Sequence, residues 1–391
     1  MGDEPPRQPE ALKDLDDDDL LRRASALPPD LDTDDGDEDP YWTVIHELHR
    51  RGTRLIFEEA VRLTVSEDPA ARRLACDVLG QLGYEHGRPF GIQTFPVLAR
   101  LCTEEAVSPV LASAIAAMGN LGRPESLPYV VAHDRHPDCD VRFAVACALP
   151  SIAGVEWLEP THPAVTTLME LTSDEDADVR DWATFGLGSQ LMVDGVEVRQ
   201  CLFARVDDPD EDTRVEAVAG LARRHTPGIA RHIRDALAAE AVGRLTVAAA
   251  ASLGDPSLAE PLTRLVGRWD VDVDLLKRAR RRCEPKRIDA TVQLVTELLD
   301  AAEVKDLRLI VASELLDDTG EPDVHVVGAG TPRAYSLEAL MRRAGGSVDA
   351  AVRLIQHDLH QPQPIPAPPE ASVATAVSDY TSRAAHRSTQ E

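Results

Sequence analysis

Aromatic side chains are scarce: Phe, Trp and Tyr make up 4% of the 391 residues, while Ala, Leu and Val supply most of the 43% apolar content. So little ring area beside so much alanine argues for closely packed helices rather than sheets. Basic residues are outnumbered, 41 Lys and Arg against 68 Asp and Glu, for a formal net charge of −27. A surface of that sign repels nucleic-acid phosphates and anionic lipid, so a groove tracking DNA is disfavoured. No apolar run approaches the roughly 18 residues that a membrane-spanning helix requires. The Pro-rich, acidic N-terminus lacks the basic start and apolar core of a secretory signal, and a cytoplasmic location is expected. The six cysteines, Cys76, Cys102, Cys139, Cys147, Cys201 and Cys283, contain no Cys-x-x-Cys pair. Reduced thiols, several of them in the core, are expected in place of a zinc site or a disulfide framework. Gly-x-Ser-x-Gly, P-loop and His-Glu-x-x-His motifs are likewise missing, so no catalytic, cofactor-binding or metal-binding residue is assigned.

What the chain does have is a repeat. In "DADVRDWATFGLGSQL", residues 176–191, take Arg180 as position zero: Val179 precedes it, and Ala183, Leu187 and Gly188 stand at +3, +7 and +8. The pattern recurs around Arg72, Arg142 and Arg214, and in two weaker copies around Leu111 and Thr246 that lack the arginine. Each copy follows a second apolar segment, such as "FPVLARL", "AVTTLMEL", "CLFARV" or "HIRDAL", so each unit reads as two helices joined by an acidic turn. Asp138, Asp140, Asp176, Asp178, Asp210 and Asp212 crowd the start of the second helix, where carboxylates cap free amides and face the positive end of the helix dipole. Positions −1, +3 and +7 form one apolar stripe. A single hairpin cannot bury that stripe, but a stack of them can.

This pattern resembles the HEAT repeat family in its short bacterial form, the PBS-lyase-like HEAT repeats. The resemblance spans roughly residues 41–285, and the Asp-x-Val-Arg segments at 140–142 and 178–180 are its most specific part. It implies an all-α fold, an α-solenoid forming a right-handed superhelix of six or seven helical hairpins. It also implies a ladder of hydrogen bonds between turn aspartates and helix-start arginines, here Asp140 with Arg142, Asp178 with Arg180, and Asp212 with Arg214. A residue that recurs in every unit is read as a stacking device and not as a catalyst.

Outside the array, residues 1–40 hold 15 acidic and 4 basic residues and read as a largely disordered acidic segment; the sharper alternative is a short helix at Asp19–Ala26 that docks on a basic patch. One such patch is "LLKRARRRCEPKR" at 275–287, where Lys277 and Arg281, and Arg278 and Arg282, fall on adjacent turns. A terminal cap, a dock for the acidic segment, an anionic partner site and a nucleic-acid contact all remain open for it. Residues 286–360 read as a C-terminal helical region, with helices over "RIDATVQLVTELLDAA", "LRLIVASELLDD", 337–344 and 348–360, the last two capped by Ser336 and Ser347. "VHVVGAGTPRAYS" is the one β-like stretch, and its Gly328-Ala329-Gly330 is too short for a dinucleotide loop. Residues 361–391, with five prolines in the first nine, read as a disordered tail.

Enzymatic relatives need features that are sparse here. The deoxyhypusine hydroxylase branch implies several His-Glu pairs for two irons. The chain has one, His46-Glu47, read as part of a surface helix. The phycobilin lyase branch implies a pigment pocket, which the scattered cysteines do not mark. A HEAT-like DNA glycosylase would need a basic groove with aromatics. More telling is where the aromatics sit. Phe143 at +1, Trp182 at +2 and Phe185 at +5 lie away from the −1/+3/+7 stripe, on the side that lines the concave face of such stacks. Burial between neighbouring repeats and exposure as anchors for a partner are the two alternatives. The expectation is a non-enzymatic scaffold or adaptor without cofactors. Its partner would be another protein, offering a basic or amphipathic segment. A lyase-like or metal-dependent protein-modifying enzyme is the alternative, and nucleic-acid binding through 277–287 a third reading.

Overall fold

A computed structural model of the chain describes residues 12–27, 40–268, 271–284, 290–300, 308–311, 324–327 and 332–359. It divides into two compact units, the first ending at Gly154 and the second beginning at Val155.

The first unit is built from helices. A 3-10 turn at Leu12–Asp14 leads into α1 (Asp17–Ala26), followed by α2 (Pro40–Arg51) and then three hairpins: α3 (Arg54–Leu63) with α4 (Pro69–Gln81), α5 (Gly91–Glu104) with α6 (Ser108–Leu121), and α7 (Leu127–Val131) with α8 (Cys139–Ala153). The apolar stripe does what its spacing predicts: Val110, Ala114 and Met118 in α6, and Val141, Val145 and Leu149 in α8, are all buried. Asp68 and Asp138 cap their helices, accepting from the amides of Ala70 and Asp140. The disorder expected of residues 1–40 does not hold for 12–27. Asp16 caps α1, and Leu20, Leu21 and Ala24 are buried in one cluster with Ile45, Leu48, Ile56 and Leu79. Arg51 clasps the segment further, donating to the Leu12 and Leu15 carbonyls and to Asp17. The short helix of the alternative reading is thus present as α1, packed on α2, α3 and α4 rather than on the basic patch at 275–284. Residues 1–11 and 28–39 lie outside the described residues.

The second unit holds four hairpins: α9 (Pro163–Leu171) with α10 (Ala177–Phe185), α11 (Val196–Phe203) with α12 (Glu211–Arg223), α13 (Ala230–Leu237) with α14 (Arg244–Leu253), and α15 (Ala259–Arg264) with α16 (Val273–Arg282). Val179, Ala183 and Leu187 are buried, as are Thr213, Ala217 and Leu221. Helix α10 ends in a π-helical turn, Gly186–Gln190, after which β2 (Met192–Val193) pairs in parallel with β1 (Trp157–Leu158).

The +8 glycines show why successive second helices approach so closely. A Cβ on Gly80 would stand 3.0 Å from the Ala117 Cα, and one on Gly119 would stand 2.7 Å from the Ala148 Cα. In the second unit, Gly188 meets the Gly220 backbone in the same way, at 3.3 Å. The partner is the +6 residue of the next copy each time, so a small residue facing glycine sets the helix spacing.

Beyond α16 the expected helical region is mixed. Helix α17 (Ala290–Asp300) precedes an antiparallel sheet ordered β3 (Arg308–Val311), β4 (Val324–Val327), β5 (Arg333–Tyr335), and α18 (Leu337–Arg343) and α19 (Val348–Leu359) follow. The helix expected over "LRLIVASELLDD" begins instead as β3, because Leu309, Ile310 and Val311 are buried together, as in a strand covered on both faces. Leu294, Leu298, Leu309, Val324, Tyr335 and Ile355 close a core of this module. The expected helices over 337–344 and 348–360 are found. Ser347 caps the second by accepting from the Ala350 amide, whereas the Ser336 side chain makes no cap bond. Gly328-Ala329-Gly330 and 361–391 lie outside the described residues.

Candidate functional site

The recurring arginine has one geometry throughout. Its Nη1 donates to the carbonyls at positions −6 and −5: Arg72 to Ser66 and Glu67, Arg142 to His136 and Pro137, Arg180 to Asp174 and Glu175, Arg214 to Asp208 and Pro209. One guanidinium edge therefore pins the turn that precedes its own helix. For Arg72 and Arg180 the other edge reaches the following copy. Arg180 grips the Asp208 carboxylate through Nε and Nη2 at 3.2 and 3.0 Å, and Arg72 grips Glu105 at 2.7 and 2.9 Å. Asp208 and Glu105 both stand at −6 of the next repeat. The carboxylate facing Arg180 is thus not Asp178, the acid implied by the family resemblance. Asp178 instead offers its backbone amide to the Asp176 cap.

These contacts shape the titration of the acids. Burial raises the Asp208 carboxyl, but the Arg180 hydrogen bonds, the Asp210 amide and the charges of Arg180 and Arg205 hold it below the ordinary aspartate range. Hydrogen bonds from Arg72 lower Glu105 in the same way.

A second arginine pair was not legible in the repeat. Arg224, with no exposed surface, donates to the carbonyls of Leu187, Gly188, Val193 and Gly220 through five hydrogen bonds of 2.7–3.2 Å. Those carbonyls end the π turn, β2 and α12, so one side chain serves as a shared C-cap for two successive repeats. Burial pushes its guanidinium down to about 9, still cationic at neutral pH. Arg223 donates to Gly188 and Ser189. Nearby, the buried Asp194 receives the Gly195 amide and a two-pronged bond from Arg199. The adjacent arginines in "GLARR" signal only a cation near a helix end. Nothing in the local sequence tells that both are buried.

His46-Glu47 lies on α2, which turns His46 and Arg50 to the surface and buries Glu47 and His49. The Glu47 carboxylate is occupied by Arg50 and Arg51, whose hydrogen bonds draw it down to about 2 against the penalty of burial. Tyr41 donates to Asp77 at 2.7 Å, and His49 Nε2 donates to the Asp77 carbonyl at 2.8 Å. Burial, assisted by the charges of His46 and Arg88, lowers His49 from 6.5 to about 4. The unfolded chain takes up this proton near 6.5 and the folded chain only near 4. The contribution of a neutral His49 is therefore complete above pH 6.5 and is lost as the pH falls toward 4, by up to about 3 kcal/mol. Thermal melts between pH 7 and 4 should fall more steeply for the wild type than for His49→Gln; parallel slopes would contradict this.

The aromatic positions are intermediate between the two alternatives. Phe143 on α8 is half-buried, and so are Trp182 and Phe185 on α10, whose rings meet edge to face at 5.7 Å and 85°. On α16, Leu275, Leu276 and Ala279 point into the core, Lys277, Arg280 and Arg281 are exposed, and Arg278 and Arg282 are half-buried. Lys277 is paired with Asp274 at 2.9 Å, and residues 285–287 lie outside the described residues. Among the described residues, one group of side chains is compact enough to surround an ion, Asp138, Cys139 and Asp140, and Asp138 there serves as the α8 cap. Also among the described residues, no helix is long and apolar enough to cross a membrane.

Residues 95–188 match a family model described as HEAT repeats. Protein YibA of Escherichia coli, in strains K12 and O157:H7, is 29% identical over 121 residues, an alignment covering 29% of this chain and 43% of YibA. The chain thus spans less than half the length of the curated relatives it matches. The X-ray structure of Escherichia coli YibA superposes with a TM-score of 0.53 at 23% identity, covering 70% of this chain and 94% of that one, and shares its fold.

Proposed function

We propose that the chain, whose residues 95–188 match a HEAT repeat model, acts as a scaffold or adaptor that binds another protein through part-exposed aromatic side chains on its second helices. The supporting observation is the Trp182–Phe185 pair on α10. In a chain with 4% aromatic residues, two rings touch each other outside the buried stripe and keep part of their surface in water. Rings of this kind supply large contact area at low conformational cost, as hot-spot residues do. Phe143 on α8 offers an anchor of the same type. With a net charge of −27, the partner segment is basic or amphipathic.

The test is affinity capture from the native cell with wild type, Trp182→Ala with Phe185→Ala, and Phe143→Ala, each matched for melting temperature. Loss of captured proteins bearing basic or amphipathic segments is expected for the α10 variant, with a weaker loss for Phe143→Ala. An unchanged set of partners in both would end the proposal.

A further inference from the structure

Two side chains of the array hold the main chain of a strand far away in sequence. β3 is an outer strand of its sheet, and its Leu309 amide donates to Asp194 Oδ2 at 3.2 Å while its Val311 carbonyl accepts from Arg223 Nε at 3.1 Å, both contacts buried. Residues two apart on a strand turn their N–H and C=O groups to the same side. Leu309 and Val311 therefore present theirs away from β4, and Ile310 pairs with His325 across the ladder. The groups that an edge strand normally leaves open are here taken by a carboxylate and a guanidinium. A further tie, Arg308 to Glu159, is solvent-exposed and adds little.

Both grips are held in place without β3. Arg223 keeps its bonds to Gly188 and Ser189, and Asp194 keeps the Gly195 amide and Arg199. What they recognise, an amide at one residue and a carbonyl two residues on, belongs to any extended chain and is blind to side chains. The occupant's middle residue, Ile310, is fully buried and, by strand alternation, lies on the opposite face from Leu309 and Val311. Leu309 and Val311 are buried as well, so an occupant needs apolar side chains at all three positions.

We propose that Asp194 and Arg223 form a strand-binding site, and that β3 is its resident occupant, displaced by an extended apolar segment of a protein partner. This site is separate from the α10 aromatics and its test does not depend on them. The probe is a labelled peptide of residues 305–312, KDLRLIVA, offered to the full chain. Leu309→Pro in the chain removes the amide held by Asp194, which does not serve the β4 ladder, and so weakens the resident strand without cutting the sheet. The peptide is expected to bind Leu309→Pro at least tenfold more tightly than wild type. That gain should vanish when the peptide is N-methylated at the position equivalent to Leu309. A gain that survives N-methylation, or no gain in a variant that keeps the wild-type melting temperature, would overturn the proposal. Should Leu309→Pro unfold the sheet, hydrogen exchange on the wild type decides. Saturating peptide should speed exchange of the Leu309 amide at least tenfold while leaving α12 unchanged, and an unaltered Leu309 rate counts against the site.

Discussion

Arg224→Met should destabilise the second unit by about 4 kcal/mol, read from urea unfolding. Methionine fills much of the same volume but donates nothing. The carbonyls of Leu187, Val193 and Gly220 would then be buried without their Arg224 donor, and Gly188 would retain only Arg223. Each orphaned buried carbonyl costs about 1–3 kcal/mol, which sets the expected size at the lower end of their sum. Arg224→Lys should recover only part of the loss, because a single ammonium lacks the fork that spans two helix ends. A loss below about 1 kcal/mol for the methionine variant would show that water or a backbone shift satisfies these carbonyls. The geometry also ties this residue to the strand site: the turn it caps carries the Gly188 and Ser189 carbonyls that hold Arg223 in place.

The regular parts of this protein were readable because each recurs. Val141, Val145 and Leu149 announce a buried stripe by spacing alone, and Asp138 and Asp176 announce helix starts, whereas the close approach at the +8 glycines, Gly80, Gly119 and Gly188, emerged only in the structure. Contacts that depend on a different repeat were not readable. The carboxylate facing Arg180 is 28 residues away, and sequence distance gives no reason to prefer it over Asp178 beside the arginine. Burial of Arg224 and His49 arises from packing with β2 and α4, which no local window contains. Acidic composition favoured disorder over the helix offered at Asp19–Ala26, yet three leucine and alanine positions suffice to dock a short helix whatever charge surrounds them. For β3, four apolar and β-branched residues fit a helix or a strand equally well until their partners are known. The candidate aromatics were visible as departures from the repeat, while the strand-gripping pair was not, because Asp194 and Arg223 meet only through a segment about a hundred residues downstream.

The proposed division of labour is that recurring residues carry the stacking and the exceptions carry binding. Its mechanical half rests on the Arg180–Asp208 contact, whose side chains keep 11% and 1% of their surface exposed. Removing either partner strands the other, so Arg180→Ala and Asp208→Ala should each cost about 3 kcal/mol. Once one is gone, removing the second should cost much less, because its main task has already been lost. Arg205 and the Asp210 amide also serve Asp208, and the Asp174 and Glu175 carbonyls also serve Arg180, so some independent cost remains for each. The decisive measurement is urea unfolding of the wild type, both single variants and the double variant. A coupling of about 1–3 kcal/mol between the two sites is expected. Losses that simply add would contradict the claim that this arginine locks one repeat to the next.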